Sequence, residues 1–228
     1  MFKLDDDNVQ FPPIELAMRE PNGLLAMGGD LSPERLKASY YQGIFPWFSP
    51  NELPLWWSPD PRAVLLPNEL HISRSMKKLI KQRPFTISLN KAFDEVIDAC
   101  AIRTEGTWIV PEVRAGYKAL HRQGIAHSVE VWQQDKLVGG LYGVNVGSIF
   151  CGESMFSRTS NASKYAFISF YFHFLGYNGQ LFDCQVLNHH TASLGAKEIS
   201  RKNFSQMLYH WRDKQINSAC WSPQLIDL

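Results

Sequence analysis

At 228 residues the chain has room for one large domain, or one domain with a small companion, and a hydrophobic fraction of 45% with 20% charged residues excludes general disorder. Lys and Arg number 23 against 22 Asp and Glu, a net charge of +1, which excludes a uniformly basic nucleic-acid binder but not a local basic patch. The opening MFKLDDDNVQ is acidic where a secretory signal would be apolar, no apolar run approaches the length of a membrane span, and the four cysteines (Cys100, Cys151, Cys184, Cys220) form no CxxC pair. A cytoplasmic protein with reduced thiols is expected.

Early in the chain, PNGLLAMGGDLSPERLKASYYQGIFPWFSP contains a well-marked helix. Ser32 is placed to cap it, Pro33 to open it, Glu34 to occupy its first turn and Gly43 to lie past its end. FPWFSPNELPLWWSPDPRAV follows, and Pro at that density argues against a regular element. Trp47, Trp56 and Trp57 either pack a linker onto the next domain or wall a binding site, since a flat indole face suits a nucleobase or a side chain. A domain boundary is expected near Asp60 to Arg62.

Beyond it α and β segments alternate. FTISLN (85–90) reads as a strand, and a helix follows from about Lys91 to Ile102. An amphipathic helix opened by Pro111 and closed by Gly124 carries Val113, Tyr117 and Leu120 on one face. HSVEVWQQDKLVGGLYGVNVGSIFCGESMF reads as a meander, with turns at Gln134 and Asp135 and at Asn145 to Gly147. A nearly all-apolar helix, capped by Ser160 and ended by Gly176, must be buried on most sides. QLFDCQVLN is a strand and FSQMLYHWRDK a last amphipathic helix. The order predicts a mixed sheet with helices on its faces.

FDCQVLNHHTASLG gathers Asp, Cys, Gln, Asn and two His. As a metal site it is weak: His189 and His190 are adjacent and point apart, and neither HExxH nor a second Cys/His pair is present. As a nucleophile Cys184 is weak too, because it sits in an apolar strand where a free thiol packs as a small hydrophobe. Strand alternation places Asp183 and Gln185 together on one face and Cys184 on the other. That pair is either internal packing or a device in which Asp183 orients the Gln185 amide toward a reacting group. Glu153, alone in an apolar run, either pairs with Arg158 or receives a cationic group from a substrate. Arg74, Lys77, Lys78, Lys81 and Arg83 in HISRSMKKLIKQR form either a solvated helix face or a phosphate-contacting patch. GGLYGVNVG precedes a strand rather than a helix, so it fits neither a dinucleotide fingerprint nor a P-loop. Its glycines suit tight turns or close approach of a ligand to the sheet.

EPNGLLAMGGDLSPERL, GIFPWFSP, WWSPDPRAVL, HISRSMKK, EGTWI, HSVEVW, LVGGLYGV, FCGESMFSR, NASK and DCQVLNHHTASLGA, spread over about residues 20 to 196, together resemble the bacterial leucyl/phenylalanyl-tRNA–protein transferases. The resemblance implies a small N-terminal domain (1–61) and a GNAT-like, acetyltransferase-like catalytic domain (62–228), an α/β (α+β) architecture. It implies transfer of Leu or Phe, with Met a further donor, from aminoacyl-tRNA to proteins beginning with Arg or Lys, which marks them for degradation by the N-end rule. Ester to amide is downhill, so no ATP, metal, CoA or other cofactor is expected, nor a membrane, and a monomer is expected. Asp183 and Gln185 match the family's catalytic pair, and Glu153 the residue that holds the aminoacyl α-amino group. Leu141, Met155, Phe167, Phe170, Phe174 and Phe182 match its apolar side-chain pocket. Trp47 and Trp108 match the positions that stack the 3′-terminal adenosine, and the basic run from Arg74 to Arg83 would meet the acceptor stem. Another acyl- or aminoacyltransferase on the same core, or a non-catalytic tRNA-binding module, is the alternative.

Overall fold

A computed structural model describes residues 1–5, 8–102 and 106–228. The first unit is a small sheet with one helix. Strands β1 (Phe2–Leu4), β2 (Leu24–Gly28), β3 (Phe45–Pro46) and β4 (Leu55–Trp57) pair in the order β1-β2-β4-β3. Helix α1 (Pro33–Tyr41) lies between β2 and β3, and its cap is the expected one: the Ser32 hydroxyl accepts from the Arg35 amide. The Pro- and Trp-rich segment, expected to be irregular, supplies β3 and β4. Its prolines sit at strand ends and on the edge strand, where the missing N–H breaks no inner ladder. Trp56 is fully buried and donates from Nε1 to the Gly28 carbonyl at 2.9 Å, whereas Trp47 stays 53% exposed.

The larger sheet begins at β5 (Arg62–Leu65). Helix α2 (Arg74–Gln82), strand β6 (Thr86–Leu89), helices α3 (Phe93–Ala101) and α4 (Pro111–Arg122), and strands β7 (Ala126–Gln133), β8 (Lys136–Val146) and β9 (Ile149–Ser157) follow. Then come α5 (Ala162–Gly176), β10 (Leu181–Gln185), α6 (His189–Ser193), β11 (Lys197–Ile199), α7 (Arg201–Trp211) and β12 (Gln224–Leu225). Among the described residues the order is β11-β5-β10-β9-β8-β7-β6-β12. The meander turns fall as expected. Gln134 and Asp135 take left-handed φ values of 50° and 61°. Gly147 has φ 60°, and a Cβ there would meet the Arg212 carbonyl oxygen at 2.3 Å. In GGLYG the close approach comes from a helix rather than a ligand: a Cβ on Gly139 would lie 2.5 Å from that of Ala162 in α5.

Helix α5 starts differently from its expected cap. Asn161 occupies the cap position with φ 65° and makes no side-chain cap, while the Ser157 hydroxyl, at the end of β9, accepts from the Ser163 amide at 2.8 Å. Helix α7 begins three residues earlier than its apolar pattern suggests, because Ser200 accepts from the Asn203 amide. The buried carboxylate of Glu130 takes the Lys91 and Ala92 amides, so α3 is started by a side chain from β7 rather than by its own cap.

One relation within the larger sheet creates the site. Strand β10 runs parallel to β9, pairing Leu181, Phe182 and Asp183 with Ile149, Phe150 and Cys151, and antiparallel to β5. The parallel ladder stops at Asp183, and opposite β5 the register shifts between Asp183 and Gln185, with Gln185 at φ 62°. Beyond Asp183 the backbones of β9 and β10 are no longer paired. A single hydrophobic cluster, with Leu25 and Trp56 from the small sheet and Val96, Tyr117, Tyr142 and Phe204 from the larger unit, joins the two sheets.

Candidate active site

Where β9 and β10 part, a cavity of about 370 Å³ opens. Phe45, Pro46 and Trp47 line it, and so does Trp108. Leu141, Met155, Phe167 and Phe182 contribute apolar lining, and Glu153, Asp183, Gln185 and Asn188, with Ser154, His190 and Thr191, contribute polar lining. Of the six residues matched to an apolar pocket, Phe170 and Phe174 do not line it. They are fully buried behind it, with ring centroids 4.5 and 6.2 Å from Phe150. The apolar stripe of α5 reaches the cavity only at Phe167 and then runs on into the core. Phe150, which the sequence did not single out, lines the cavity in their place.

Glu153 is surrounded by protein except where it meets the cavity. Its Oε2 accepts from the Tyr117 hydroxyl at 2.9 Å, and its Oε1 from Gln185 Nε2 at 2.6 Å. The Tyr117 hydroxyl is also hydrogen-bonded to that of Tyr40. Burial pushes the Glu153 carboxyl up to about 7, against the pull of these hydrogen bonds. The two buried phenols are held well above their ordinary range, first by burial and then by the nearby carboxylate, so they remain donors. The pairing of Glu153 with Arg158 is not formed. Arg158 donates to the Leu137 carbonyl and lies over the Phe156 ring.

Asp183 and Gln185 come together in a way that strand alternation did not foresee. Asp183 is 1% exposed, and its two oxygens take a fork from Arg62: Nε to Oδ1 at 2.8 Å and Nη2 to Oδ2 at 2.6 Å. Its bond to Gln185 runs to the backbone, Gln185 N–H donating to Oδ1 at 3.0 Å, and not to the amide side chain. The Gln185 amide is oriented by Glu153 instead: its nitrogen faces that carboxylate, and its carbonyl oxygen points elsewhere. The bulge also breaks the face assignment, so Cys184 lines the cavity. Burial pushes its thiol up to about 12, which leaves no thiolate for nucleophilic work near neutrality.

The five cations of the basic run are all exposed, and among the described residues none forms an ion pair. Arg74, Lys77, Lys78 and Lys81 ride on α2, whose buried side is anchored by Met76, and Arg83 caps its end at φ 46°. None of the five lines the cavity. Trp47 and Trp108 both do, although Glu105 at the start of EGTWI lies outside the described residues. Sequence reasoning missed Arg62, Tyr40 and Tyr117. Arg62 left one trace, a charge heading the apolar run RAVL. The tyrosines left none, since each sits on a helix face that reads as core.

The family model described as leucyl/phenylalanyl-tRNA protein transferase matches residues 64–209, and that of its N-terminal domain matches residues 29–60. With its mixed α/β fold, the protein is an aminoacyltransferase. It belongs to the leucyl/phenylalanyl-tRNA–protein transferase family. The leucyl/phenylalanyl-tRNA–protein transferase of Proteus mirabilis is 60% identical over 228 residues, covering all of this chain and 99% of that protein. That of Pectobacterium carotovorum is 60% identical over 225 residues, 98% of this chain and 96% of that one, and that of Yersinia pestis 57% over 226, or 99% and 96%. Among solved structures, L-PGS from Bacillus licheniformis aligns with a TM-score of 0.41 at 9% identity, covering 88% of this chain and 65% of that chain.

Proposed function

We propose that the protein, acting as a monomer in the cytoplasm, transfers Leu or Phe, with Met a further donor, from aminoacyl-tRNA to the α-amino group of proteins beginning with Arg or Lys. The product carries an N-end-rule degradation signal. The observation that supports this most is the 2.6 Å bond between Gln185 Nε2 and Glu153 Oε1 at the edge of an apolar cavity. The apolar lining suits a Leu or Phe side chain, and the Glu153 carboxylate suits the cationic α-amino group attached to it. The indoles of Trp47 and Trp108 offer faces for the terminal adenosine, and the exposed cations of α2 suit the acceptor-stem phosphates.

With the Gln185 nitrogen committed to Glu153, the amide carbonyl is the group left to accept a hydrogen bond from the attacking amine. The amine nitrogen bonds to the ester carbonyl carbon, the bond from that carbon to the ribose oxygen breaks, and the proton lost by nitrogen ends on that oxygen. Gln185 is too weak a base to do more than orient the amine, so holding two substrates in register supplies most of the rate. Asp183, with both oxygens occupied, positions Gln185 from behind. The test supplies purified protein with labelled leucyl-tRNA and a peptide beginning with Arg. Label should appear in that peptide and not in its N-acetylated form. Transfer from acetyl-CoA alone, or tRNA binding without transfer, would refute the proposal.

A further inference from the structure

Arg62 is 1% exposed at the first position of β5, and each of its three guanidinium nitrogens donates a hydrogen bond. Besides the fork onto Asp183, its Nη1 donates to the Gly43 carbonyl at 3.0 Å. Its guanidinium lies 4.9 Å from the Phe45 ring centroid and 4.4 Å from that of Phe204. Two of these partners, Phe45 and Asp183, line the cavity themselves. Phe45 does so beside Pro46 and Trp47, and Asp183 beside Gln185.

We propose that Arg62 is a positioning residue for the transfer reaction, an inference that rests on the function proposed above. Gln185 holds a left-handed φ of 62°, which a side chain larger than glycine adopts only when something fixes it. What fixes it is the bond from its N–H to Asp183 Oδ1. That oxygen stays in place because the guanidinium fork locks the carboxylate, while the two rings and the Gly43 carbonyl lock the guanidinium. The result is an unbroken series of contacts from Phe204 and Gly43 through Arg62 and Asp183 to the amide that meets Glu153. A lysine would keep the charge but not the planar fork, so it could not make the paired bonds that fix both Asp183 oxygens.

The experiment measures kcat and KM for an Arg-initiated peptide at saturating leucyl-tRNA, for Arg62→Lys in the parent and in a Gln185→Ala background. In the parent, kcat should fall by about 10²-fold, as for a reacting group displaced by an ångström, with KM for the peptide nearly unchanged. In the Gln185→Ala background the same substitution should cause no further loss, since the two residues act in one line. An Arg62→Lys enzyme equal to the parent, or one that loses the same factor in both backgrounds, would overturn the inference, the second outcome marking a merely structural role. Should Arg62→Lys lack a cooperative unfolding transition, Phe204→Leu, which removes one of the rings flanking the guanidinium, is measured in the same two backgrounds with the same criteria. A parent enzyme that transfers nothing would refute the proposed function instead, before any variant is compared.

Discussion

Asp183 and Gln185 are two residues apart yet have opposite relations to the fold. Asp183 is buried against a buried arginine, so removing it strands a charge in the core. Asp183→Ala should therefore lower unfolding stability by about 3–5 kcal/mol. Gln185→Ala, which removes a half-buried amide, should lower it by roughly 1 kcal/mol. Urea titration of both variants checks the contrast, and equal losses would show that Arg62 finds another partner. Lost activity in Asp183→Ala is then partly lost fold, whereas in Gln185→Ala it reports on the site.

Glu153 makes a pH-dependent contribution with the sign opposite to that of an ion-paired carboxylate. Its folded value of about 7 lies above the ordinary 4.5, so between those pH values the folded protein holds a proton that the unfolded chain has released. Its contribution to stability is full below pH 4.5 and is lost as pH rises toward 7, by up to about 3 kcal/mol. Glu153→Gln removes that titration. Its stability relative to the parent should therefore improve between pH 5 and pH 8, and a gap independent of pH would mean that Glu153 titrates like a surface carboxyl.

At the scale of elements, α2 and β10 do separate jobs. Helix α2 turns Met76 inward and its cations to solvent, so its basic face acts through charge rather than shape. Replacing Lys77 and Lys81 with Ala should weaken tRNA binding and reduce the slope of log affinity against log salt by about 1 for each phosphate left without its cation. Binding titrations between about 50 and 200 mM salt measure that slope. An unchanged slope would put the acceptor stem elsewhere. Strand β10 carries the site because its ladder to β9 ends at Asp183. A fully paired strand would have filled the space between β9 and β10 with hydrogen bonds and left no cavity.

Over the whole molecule, the shared cluster of Leu25, Trp56, Tyr117 and Phe204 predicts that the small sheet and the large one unfold together. Scanning calorimetry should show one transition, whereas two separated transitions would mean the common core contributes little to either unit. Much of this organisation was legible in the sequence. Ser32, Pro33, Gly147 and the all-apolar α5 act through local rules, and the meander and the helix bodies fall where those rules put them, although α5 and α7 start differently. What escaped was set by meetings between distant segments. The bulge at Gln185 is imposed by Asp183, which is itself held by an arginine 121 positions away. Tyr40 and Tyr117 meet Glu153 only because α1 and α4 pack side by side. No periodicity within one segment reports such meetings, which is why the sequence leaves Glu153 open to a pairing with nearby Arg158 and places Cys184 on the face away from Asp183 and Gln185.

That separation of 121 positions between Arg62 and Asp183 bears on how the enzyme is made. Strand β5 leaves the ribosome long before β10, and at about 5–20 residues per second the arginine waits some 6–24 seconds for its carboxylate. Until then its guanidinium is better solvated than buried, so the cavity lining at Phe45 has nothing to close around. A nascent chain cut short before residue 183 lacks more than its catalytic strand: it lacks the counter-ion that lets its first half finish packing.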